Sequence, residues 1–434
     1  MFLCLAPILV PASLVILGSV AIVLMAVWLL AGMFAPMPQY RITGAHELPA
    51  IDSPQFLDLI ESLTDAKLNQ TGILEILSNG PNFYPAELNA IRNANSSVNL
   101  EAYIFRKGEI GKLFVGALTE RARAGLRVNV VIDAFGSLGA SRGLFRPLIE
   151  AGGRVSRYND LAWYRLMRLD NRTHRELLIV DGRIGFIGGA GIADQWYAGT
   201  HGRPRWRDTV VRVEGEAVAA LQATFAENWL ASNGDLLAGN AYFPQIKCAH
   251  PATTLVVNST PTVGGSTRAR VLFQLLLASA RRSISITTPY FLPDKSLMKE
   301  LCRAVNRGVK VRILVPGRKS DHIVTRSTSR SAYGRLLEAG AEIYEYQPSM
   351  IHAKVMCIDS LWAVVGSTNF DNRSFGLNDE VNLAVCDAAV AMRLESDLAS
   401  DLDHSRQISL QEWRHRAITE RATELLGWVF ERQQ

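Results

Sequence analysis

The sequence lacks the short motifs of nucleotide-binding proteins, and it contains little cysteine. It has neither Gly-x-Gly-x-x-Gly nor Gly-Lys-Ser/Thr, so we expect no nucleotide cofactor. Its five cysteines are an odd number without a C-x-x-C pair, which argues against a disulfide framework and a zinc knuckle. Apolar residues make up 48% of the 434 residues and charged residues 20%, so the chain can bury a substantial core without such supports.

Charge is absent from the first 40 residues, and the first charged side chain is that of Arg41. Residues 13–34 form a nearly unbroken apolar run of 22 residues, and a helix of roughly 20 residues spans the hydrocarbon core of a bilayer. Prolines at positions 7, 11, 36 and 38 predict a helix over about residues 12–34. We expect residues 1–40 to be a retained membrane anchor, because a signal peptide carries a basic start and a shorter apolar stretch. Arg41 favours a cytoplasmic body behind a single pass of the cell membrane.

The net charge of +5 suits an anionic partner such as phosphate, nucleic acid or a lipid surface. One segment mixes aromatic, apolar and basic side chains as expected at a membrane interface; its members are Arg157, Tyr158, Trp163, Tyr164, Arg165, Leu166, Met167 and Arg168. The same mixture can also bind nucleic acid by stacking and charge, or simply cover the core.

From about residue 66 the chain repeats itself in order. The matching segments are 98–105 with 284–291, 124–131 with 307–314, 148–152 with 336–340, and 174–181 with 352–359. Each copy reads strand, helix, strand, helix, strand. Helical periodicity occurs at residues 109–124 and 296–306, and β-branched runs occur at 128–132 and 311–315. This alternation predicts an α/β fold of two sandwich domains, each with a parallel or mixed sheet.

The predicted organisation has six segments. They are the anchor at 1–40, a linker at 41–65, a first α/β domain at 66–235, a polar linker at 236–253, a second α/β domain at 254–400 and a C-terminal helix at 401–434. We expect the terminal helix to cap the core, with a position on the membrane surface as the alternative.

The second copy carries the motif H-x-K-x4-D at residues 352–359. Side chains two positions apart in a strand point the same way, so His352 and Lys354 project into one site, and Asp359 ends the strand. Ser367 and Asn369 follow at a Gly-Ser-Thr-Asn turn and add a hydroxyl and an amide. This set suits a phosphoryl group, because a neutral imidazole can attack phosphorus while an ammonium and an amide hold the phosphate oxygens.

The first copy is altered. His174 and Asp181 are kept, but Glu176 stands at the lysine position and Gly191 at the position of the amide. A carboxylate at position 176 would attract Lys354 if the halves face each other, and it would favour the charged form of His174. Two alternatives stay open, namely that the first half no longer works, or that Glu176 and His174 bind a cation.

Other side chains are candidates to support the two histidines. We expect Glu380 to hydrogen-bond His352 and Asp208 to hydrogen-bond His174, so that each carboxylate fixes the tautomer of its imidazole. The positive charge that the first copy lost can come from nearby arginines, which are Arg172, Arg175 and Arg207.

These motifs resemble the phospholipase D superfamily, and within it the bacterial cardiolipin synthases, over about residues 66–400. The segments that carry the resemblance are Thr-Pro-Tyr-Phe-Leu-Pro-Asp at 288–294, the motif at 352–359, and Gly-Ser-Thr-Asn-Phe-Asp-Asn-Arg-Ser-Phe at 366–375. The resemblance implies a two-lobed fold in which His174 and His352 face each other across a pseudo-twofold interface. It also implies phosphatidyl transfer through a phosphohistidine, without metal or cofactor.

The resemblance gives the nucleophilic role to His174 and the proton transfers to His352, whereas the complete motif around His352 favours the opposite assignment. We expect phosphatidylglycerol as the substrate, a membrane as the partner, and no nucleic acid. The rival functions are a phospholipase D hydrolase, in which water replaces the acceptor alcohol, a nuclease, and a membrane scaffold without activity. We also expect activity to survive EDTA, because no carboxylate cluster has the spacing of a metal site.

Overall fold

A computed structural model describes residues 12–34, 39–160, 171–200, 202–246, 252–261, 267–321 and 323–416. The chain divides into two compact units, Met1–Arg41 and Ile42–Gln434. Two predicted features lie outside the described residues, namely the aromatic and basic positions 163–168 and the C-terminal helix beyond residue 416.

The first unit contains helix α1 (Ala12–Phe34), at the predicted position. Its exposed side chains include Ile16, Leu17, Val20, Ile22, Val23, Leu24, Met25 and Val27. In the part of the chain that the structure describes, no helix reaches the length and apolarity of a membrane-crossing helix.

Strands and helices alternate through the first half of the second unit. The strands are β1 (Leu68–Ser78), β2 (Ser97–Ala102), β3 (Arg127–Asp133), β4 (Arg154–Tyr158), β5 (Leu177–Val180), β6 (Ile184–Gly188) and β7 (Thr209–Gly215). A 3₁₀ turn at Ala45–Glu47 precedes the helices α2 (Pro54–Thr64), α3 (Gly80–Arg92), α4 (Glu109–Arg123), α5 (Arg142–Glu150), α6 (Asp194–Tyr197) and α7 (Ala217–Asn233).

The second half repeats this alternation. Its strands are β8 (Ala252–Ser259), β9 (Ser283–Thr287), β10 (Phe291–Leu292), β11 (Lys310–Pro316), β12 (Glu342–Tyr346), β13 (Val355–Ile358), β14 (Trp362–Gly366), β15 (Phe370–Asp371), β16 (Glu380–Cys386) and β17 (Ser405–Ile408). Its helices are α8 (Arg268–Ser279), α9 (Lys295–Asn306), α10 (Ile323–Ser331), α11 (Tyr333–Ala339), α12 (Asn372–Gly376), α13 (Ala388–Asp403) and α14 (Leu410–Arg414).

Fifteen strands of the described residues form one mixed sheet, in the order β17-β12-β11-β9-β13-β14-β16-β8-β1-β7-β6-β5-β2-β3-β4. Toward the centre of the sheet, the second half runs β12-β11-β9-β13-β14-β16-β8 and the first half runs β4-β3-β2-β5-β6-β7-β1. The matching strands of the two halves therefore have the same order. The halves join at the centre, where β1 pairs antiparallel with β8. The repeat seen in the sequence therefore corresponds to a repeated strand topology.

The core lies on both faces of this sheet. In β3, Val130 and Ile132 pack with helices α3, α4 and α5, whereas Val131 packs with α7 on the other face. The cluster around α7 also contains Val365 and Val381 of the second half. Strands buried on both faces are apolar at successive positions, which explains the β-branched runs that predicted them.

The segment predicted as a linker at residues 41–65 contains helix α2, which packs against the second half. Phe56 meets Trp362 edge to face with 5.9 Å between ring centroids. The indole Nε1 of Trp362 donates to the backbone oxygen of Ile51 at 2.8 Å. This segment is therefore part of the core of the second half, although it precedes the first half in sequence.

Residues 401–434 were predicted as one helix, and the described part differs. Helix α13 continues to Asp403, and β17 then pairs antiparallel with β12, with Ile408 opposite Ile343. A strand is favoured here because Ile408 is buried, whereas the two residues before it are exposed. The short helix α14 follows at Leu410–Arg414.

One residue assigned to the membrane-interface segment is part of the core instead. Tyr158 ends β4 and is buried, and its hydroxyl donates to Oδ1 of Asn171 at 2.8 Å. The neighbouring Arg157 donates to the backbone oxygen of Ala140 at 2.6 Å. Both residues therefore hold loops together, which corrects the prediction of a lipid-facing role for Tyr158.

Candidate active site

His352 lies in the extended segment that leads into β13. Its side chain is 6% exposed, and its Nδ1 lies 2.9 Å from Oδ2 of Asp208. An ionised carboxylate only accepts hydrogen bonds, so Nδ1 carries the proton and Nε2 keeps a lone pair. The rings of Trp196 and Trp206 each lie 5.4 Å from the imidazole. The imidazole is therefore fixed in orientation by a hydrogen bond and by packing.

Asp208 is fully buried beside three donors. Burial alone would raise its pKa, but the hydrogen bond from His352 and the charge of Lys354 lower the pKa below its usual value. The indole Nε1 of Trp196 donates to its Oδ2 at 3.0 Å, and the backbone N–H of Thr209 donates to its Oδ1 at 2.8 Å. Asp208 is thus held as the anion that orients His352.

Lys354 lies on the same side of the strand as His352, as the alternation predicts. Its Nζ donates to the backbone oxygen of His352 at 2.7 Å and lies close to both ring nitrogens, 2.7 Å from Nδ1 and 3.1 Å from Nε2. Burial lowers the pKa of Lys354 to about 8, against the opposing charges of Asp208 and Glu380. A Cβ at Gly189 would lie 2.7 Å from Cδ of Lys354, so the glycine leaves the room that this side chain occupies.

His174 holds the matching position in the segment before β5. Its Nδ1 lies 2.9 Å from the backbone oxygen of Ser367 and 3.1 Å from the carboxylate of Glu380. Both groups accept, so Nδ1 carries the proton and Nε2 is the basic nitrogen. The ring of Tyr103 packs edge-on at 5.1 Å, and the imidazole is 11% exposed. His174 is therefore oriented by groups from the second half.

The carboxylates support the histidines across the halves, which corrects the predicted pairing. Asp208, from the first half, bonds His352 of the second, and Glu380 bonds His174 of the first. The sequence argument had assigned each carboxylate to the histidine of its own half. Each histidine therefore depends on the opposite half for its tautomer.

Two short backbone bridges produce this exchange. Thr173, directly before the first histidine, bridges in parallel with Asp379, and Ile351, directly before the second, bridges with Arg207. In both bridges the next residue of the partner segment is the supporting carboxylate. The charges of Asp208 and Glu380 both act on the pKa of Lys354, so the two carboxylates lie near the same ammonium. The two histidine–carboxylate pairs therefore belong to one site at the junction of the halves.

Glu176 occupies the position in the first half that a lysine holds in the second, and its side chain bonds the backbone of its own half. Its Oε1 accepts the backbone N–H groups of Tyr103 and Ile104, both at 3.2 Å. Burial raises its pKa well above the usual range, although these hydrogen bonds and Lys354 oppose the shift. A Cβ at Gly191 would lie 3.1 Å from this oxygen and 2.6 Å from the backbone oxygen of Ile104. The absence of a lysine at position 176 and the absence of an amide at position 191 are therefore linked, because Glu176 and Ile104 occupy the space beside Gly191.

Asp181 and Asp359 lie away from the histidines. The Asp181 carboxylate accepts the backbone N–H groups of residues 95–97, and Asp359 accepts those of residues 281–283. Each follows its histidine by seven positions, and a strand advances roughly 3.3 Å per residue. Both carboxylates therefore bind the start of a neighbouring strand, which corrects their prediction as catalytic groups.

The turn after β14 supplies polar groups to the site. Ser367 donates its hydroxyl to Glu380 and accepts the backbone N–H of Val381 at 3.0 Å. The side-chain oxygen of Asn369 is buried, and within the described residues it has no hydrogen-bond partner. Ser367 therefore positions Glu380, and the side-chain oxygen of Asn369 has unused capacity to accept a hydrogen bond.

Two of the arginines expected to supply positive charge bind carboxylates instead. Arg175 is fully buried and bonds Glu227 at 2.8 Å, on the opposite side of its segment from His174. Arg207 bonds Asp401 through Nε at 3.0 Å. These two side chains stabilise the interior and are not free to hold a phosphate.

Three aromatic residues of the site were missed by the sequence argument. They are Tyr103 beside His174, and Trp196 and Trp206 beside His352. Tyr103 belongs to the repeated segment 98–105, so its place in the repeat was an available signal. The tryptophans have no such signal, because their contact with His352 spans more than a hundred residues.

Across the described residues, no group of three or more histidine, cysteine, aspartate or glutamate side chains is arranged to hold a metal ion. The alternative in which Glu176 and His174 bind a cation has no geometric support, because the Glu176 oxygen that has partners accepts two backbone N–H groups. The independence of activity from metal remains a prediction.

The chain is similar to several known proteins. A family model described as cardiolipin synthase, PLD-like domain matches residues 274–402. Cardiolipin synthase 1 of Bacillus cereus is 35% identical over 361 residues, which cover 81% of this chain and 70% of that protein. Major cardiolipin synthase ClsA of Bacillus subtilis is 32% identical over 389 residues, which cover 86% of this chain and 80% of that protein.

A solved structure shares the fold. Phosphatidylserine synthase of Haemophilus influenzae superposes with a TM-score of 0.66 at 14% identity, over 86% of this chain and 97% of that one. At this identity the likeness concerns the fold alone. With two relatives above 30% identity along most of their length, the chain belongs to the cardiolipin synthase family of phospholipase D-like enzymes, which act in phospholipid biosynthesis.

Proposed function

We propose that this protein is a membrane-associated phosphatidyltransferase that makes cardiolipin or a related phospholipid from phosphatidylglycerol. The observation that carries the proposal is the reciprocal support of two histidines, in which Glu380 fixes His174 and Asp208 fixes His352. Two imidazoles with assigned tautomers in one site suit a two-step transfer, in which one attacks phosphorus and the other moves protons. The names of the relatives support phosphatidyl chemistry on lipids.

In the first step, Nε2 of His174 attacks the phosphorus of phosphatidylglycerol. A P–N bond forms and the P–O bond to the head-group glycerol breaks. His352, which takes up a second proton on Nε2 before this step, gives that proton to the leaving oxygen. In the second step, His352 takes the proton of the acceptor hydroxyl, whose oxygen attacks phosphorus while the P–N bond breaks. The enzyme is regenerated, and the products are glycerol and the new phosphodiester.

The assignment of the attacking role to His174 rests on the surroundings of the two Nε2 atoms. In the described part of the chain, Nε2 of His174 has no hydrogen-bond partner, whereas Nε2 of His352 lies 3.1 Å from the ammonium of Lys354. Burial and the charge of Lys354 lower the pKa of His352, which makes its imidazolium a stronger acid. The ammonium of Lys354 and the amide of Asn369 hold the phosphate oxygens.

The test is to incubate detergent-purified protein with phosphatidylglycerol, identify the products by mass spectrometry, and compare His174→Ala, His352→Ala and the control His404→Ala. His404 is an exposed histidine whose Nδ1 lies 2.9 Å from the backbone oxygen of Ser400. We expect cardiolipin from wild type and control and almost none from the two site variants. Turnover within about tenfold of wild type, a barrier change of about 1.4 kcal/mol, would contradict a chemical role for that histidine.

Two further results separate the alternatives. Phosphatidic acid in place of cardiolipin would identify a hydrolase that uses water as the acceptor. The P–N bond of a phosphohistidine is labile in acid. The reaction is therefore quenched in alkali, and the phosphorylated histidine is identified by peptide mass spectrometry. A label on His352 alone would reverse the two roles, and EDTA is included to test the expected independence from metal.

We further propose that the apolar segment at residues 12–34 attaches the protein to the membrane. The support is the run of exposed apolar side chains along α1. Deletion of residues 1–40 should release the protein from vesicles in a flotation assay, while turnover of detergent-dispersed phosphatidylglycerol persists. Flotation of the truncated protein at high salt would show that apolar attachment lies elsewhere in the chain.

A further inference from the structure

The first half has no lysine beside its histidine, yet the phosphate would lie between both halves. Glu176 occupies the lysine position, and Arg175 and Arg207 are bound to carboxylates. The two non-bridging oxygens of a phosphodiester carry its negative charge, and donors aimed at them stabilise the transition state of transfer. The question is which side chain of the first half supplies positive charge.

Arg172 differs from the other two arginines in its contacts. It is 7% exposed, and its Nη1 is buried with no hydrogen-bond partner among the described residues. The ion pairs found within the described ranges do not include it, and its guanidinium lies over the ring of Phe135 at 4.9 Å. A buried guanidinium nitrogen without a partner is costly, and it leaves a donor available to a bound anion.

The backbone places Arg172 on the same side as His174. The segment is extended, because Asp379 N donates to Arg172 O at 2.8 Å and His174 N donates to Asp379 O at 2.9 Å. Thr173 points to the other side, where its hydroxyl donates to Glu101. Side chains alternate along an extended segment, so Arg172 and His174 share one side.

Tyr103 gives independent support for this placement. Its ring packs on His174 at 5.1 Å. Burial raises the pKa of the Tyr103 hydroxyl, and the nearby charges of Arg373 and Arg172 oppose this shift. The charge of Arg172 therefore acts at the residue whose ring packs on His174.

The two halves place their cation on opposite sides of the histidine. In the second half, Lys354 follows His352 by two positions, and the buried Met350 precedes it by two. In the first half, Arg172 precedes the histidine by two positions and a glutamate follows it by two. Each histidine thus has one cation at a distance of two residues, which keeps it on the same side of the strand.

We propose that Arg172 is a phosphate-binding residue of the first half, where it holds oxygens of the reacting phosphodiester in place of the missing lysine. This inference rests on the proposed function, because it takes the phosphate attached to His174 as its ligand. The guanidinium is suited to the task, since its planar fork can donate two parallel hydrogen bonds to a phosphate. A purely structural role, in which Arg172 balances the buried carboxylate of Asp133, is the alternative that the experiment must separate.

The kinetic test compares Arg172→Met, Arg172→Lys and the control Arg146→Met. The methionine copies the residue of the other half, and Arg146 is an exposed arginine paired with Glu150. We expect Arg172→Met to lower kcat/KM for phosphatidylglycerol roughly 10- to 100-fold, the range for hydrogen bonds to a charged group. Arg172→Lys keeps the charge but not the planar fork, so its kcat/KM should lie between those of Arg172→Met and wild type. The control should equal wild type. An unchanged kcat/KM in folded Arg172→Met overturns the proposal.

A second measurement does not need the reaction. Inorganic phosphate should raise the melting temperature of the full-length wild-type protein in detergent, and it should raise that of Arg172→Met much less. If the wild type makes no cardiolipin but this difference is found, the proposed function fails and the phosphate site stands. If Arg172→Met melts lower but phosphate shifts its melting temperature as in wild type, Arg172 only balances Asp133 and the proposal is overturned. Arg172→Gln, which keeps polar contacts, replaces a methionine variant that does not fold.

A compensating variant tests the exchange of positions directly. Glu176→Lys in the Arg172→Met background moves the cation to the place it has in the second half. Recovery of activity and of the phosphate-dependent melting shift supports the proposal. Assays with and without an acceptor lipid then show which phosphate is bound, because a loss confined to transfer would assign Arg172 to the acceptor and overturn its assignment to the reacting phosphate.

Discussion

Gly191 shows how one substitution constrains another at the scale of single residues. An asparagine at this position would align with Asn369, but the space beside Gly191 is already filled by Ile104 and Glu176. The sequence revealed the missing amide and the missing lysine as two separate losses. Only the structure shows that they are linked, because Glu176 turns inward to two backbone N–H groups.

Gly191→Asn should therefore destabilise the protein without raising its activity. The added Cβ would lie 2.6 Å from the backbone oxygen of Ile104, which cannot move aside as a side chain can. Overpacking of this kind costs about 1–3 kcal/mol, measurable as a lower denaturation midpoint. Gly139→Asn is the matched control, since a Cβ there would contact nothing within 4 Å. A gain in kcat from Gly191→Asn would contradict our account of the first half.

The ammonium of Lys354 should set the alkaline limit of activity. Burial lowers the pKa of Lys354 to about 8 in the folded protein, so the charged form is present below that pH and is lost as pH rises through it. We expect kcat/KM to fall above about pH 8 in a pH profile. Lys354→Arg should keep residual activity at high pH, because a guanidinium does not deprotonate in this range. The exposed Lys310→Arg serves as control. An alkaline limb that is identical in Lys354→Arg and wild type would remove Lys354 from this role.

At the scale of helices and strands, the repeated motif serves the fold as well as the chemistry. The aspartate of each copy binds the three backbone N–H groups that begin the neighbouring strand, β2 in one half and β9 in the other. A motif read as H-x-K-x4-D therefore combines a reactive end and a structural end, about one strand length apart. Spacing alone cannot separate these roles, because both favour a fixed position along the strand.

Asp181→Ala and Asp359→Ala should lower stability while the folded protein keeps its activity. Each change leaves half-buried N–H groups without their acceptor, although the N–H of Asn95 is exposed, so we expect a cost of about 1–3 kcal/mol in urea unfolding. Burial tends to raise the pKa of Asp181, but the N–H groups of residues 95–97 outweigh it and lower the pKa. Its stabilisation is therefore present above the ordinary aspartate pKa of about 4 and is lost as pH falls below it.

The control for this pair is Asp235→Ala, which removes a carboxylate from a half-exposed ion pair with Arg154. Exposed pairs contribute about 0–1 kcal/mol, so this variant should unfold close to wild type. If Asp181→Ala or Asp359→Ala instead retained full stability and lost turnover below its melting temperature, the carboxylates would have a chemical role after all.

The strands that periodicity predicted are buried on both faces of the sheet, and the predicted helices pack on those faces. Strands β3 and β11 and helices α4 and α9 agree with the predicted ranges to within one residue at each end. Helix α2 and strand β17 escaped prediction because their place depends on distant partners, Trp362 for the first and β12 for the second. Local patterns predict an element's type, whereas the surface against which it packs is a property of the folded chain.

At the scale of the whole molecule, the site depends on the junction of the halves. The sequence predicted two histidines in one site but paired each with the wrong carboxylate, because the bridges of Thr173 with Asp379 and of Ile351 with Arg207 leave no mark in a single sequence. The prediction of domain boundaries at 66–235 and 254–400 remains untested in solution. In the structure, residues 42–434 form one compact unit.

The exchange of carboxylates can be measured with an activated substrate. In the His352→Ala background, a phosphodiester with a p-nitrophenolate leaving group needs no proton donor, so His174 should still form the phosphoenzyme. There Glu380→Gln should slow the p-nitrophenolate burst roughly 10- to 100-fold, as loss of a group that orients a reactive imidazole commonly does. Asp208→Asn should have little effect in the same background, since its partner is absent. Equal effects of the two changes would contradict the exchanged pairing.

Because each histidine is bonded by a carboxylate of the opposite half, both pairs form late in the synthesis of the chain. On the ribosome, β1 emerges early, but its neighbours β7 and β8 appear only after more than a hundred further residues have been made. Asp208 is therefore synthesised well before its partner His352, and His174 is synthesised well before its partner Glu380. A nascent or prematurely terminated chain that stops before residue 352 contains neither completed pair. The last quarter of translation therefore supplies the missing member of both pairs, His352 for Asp208 and Glu380 for His174.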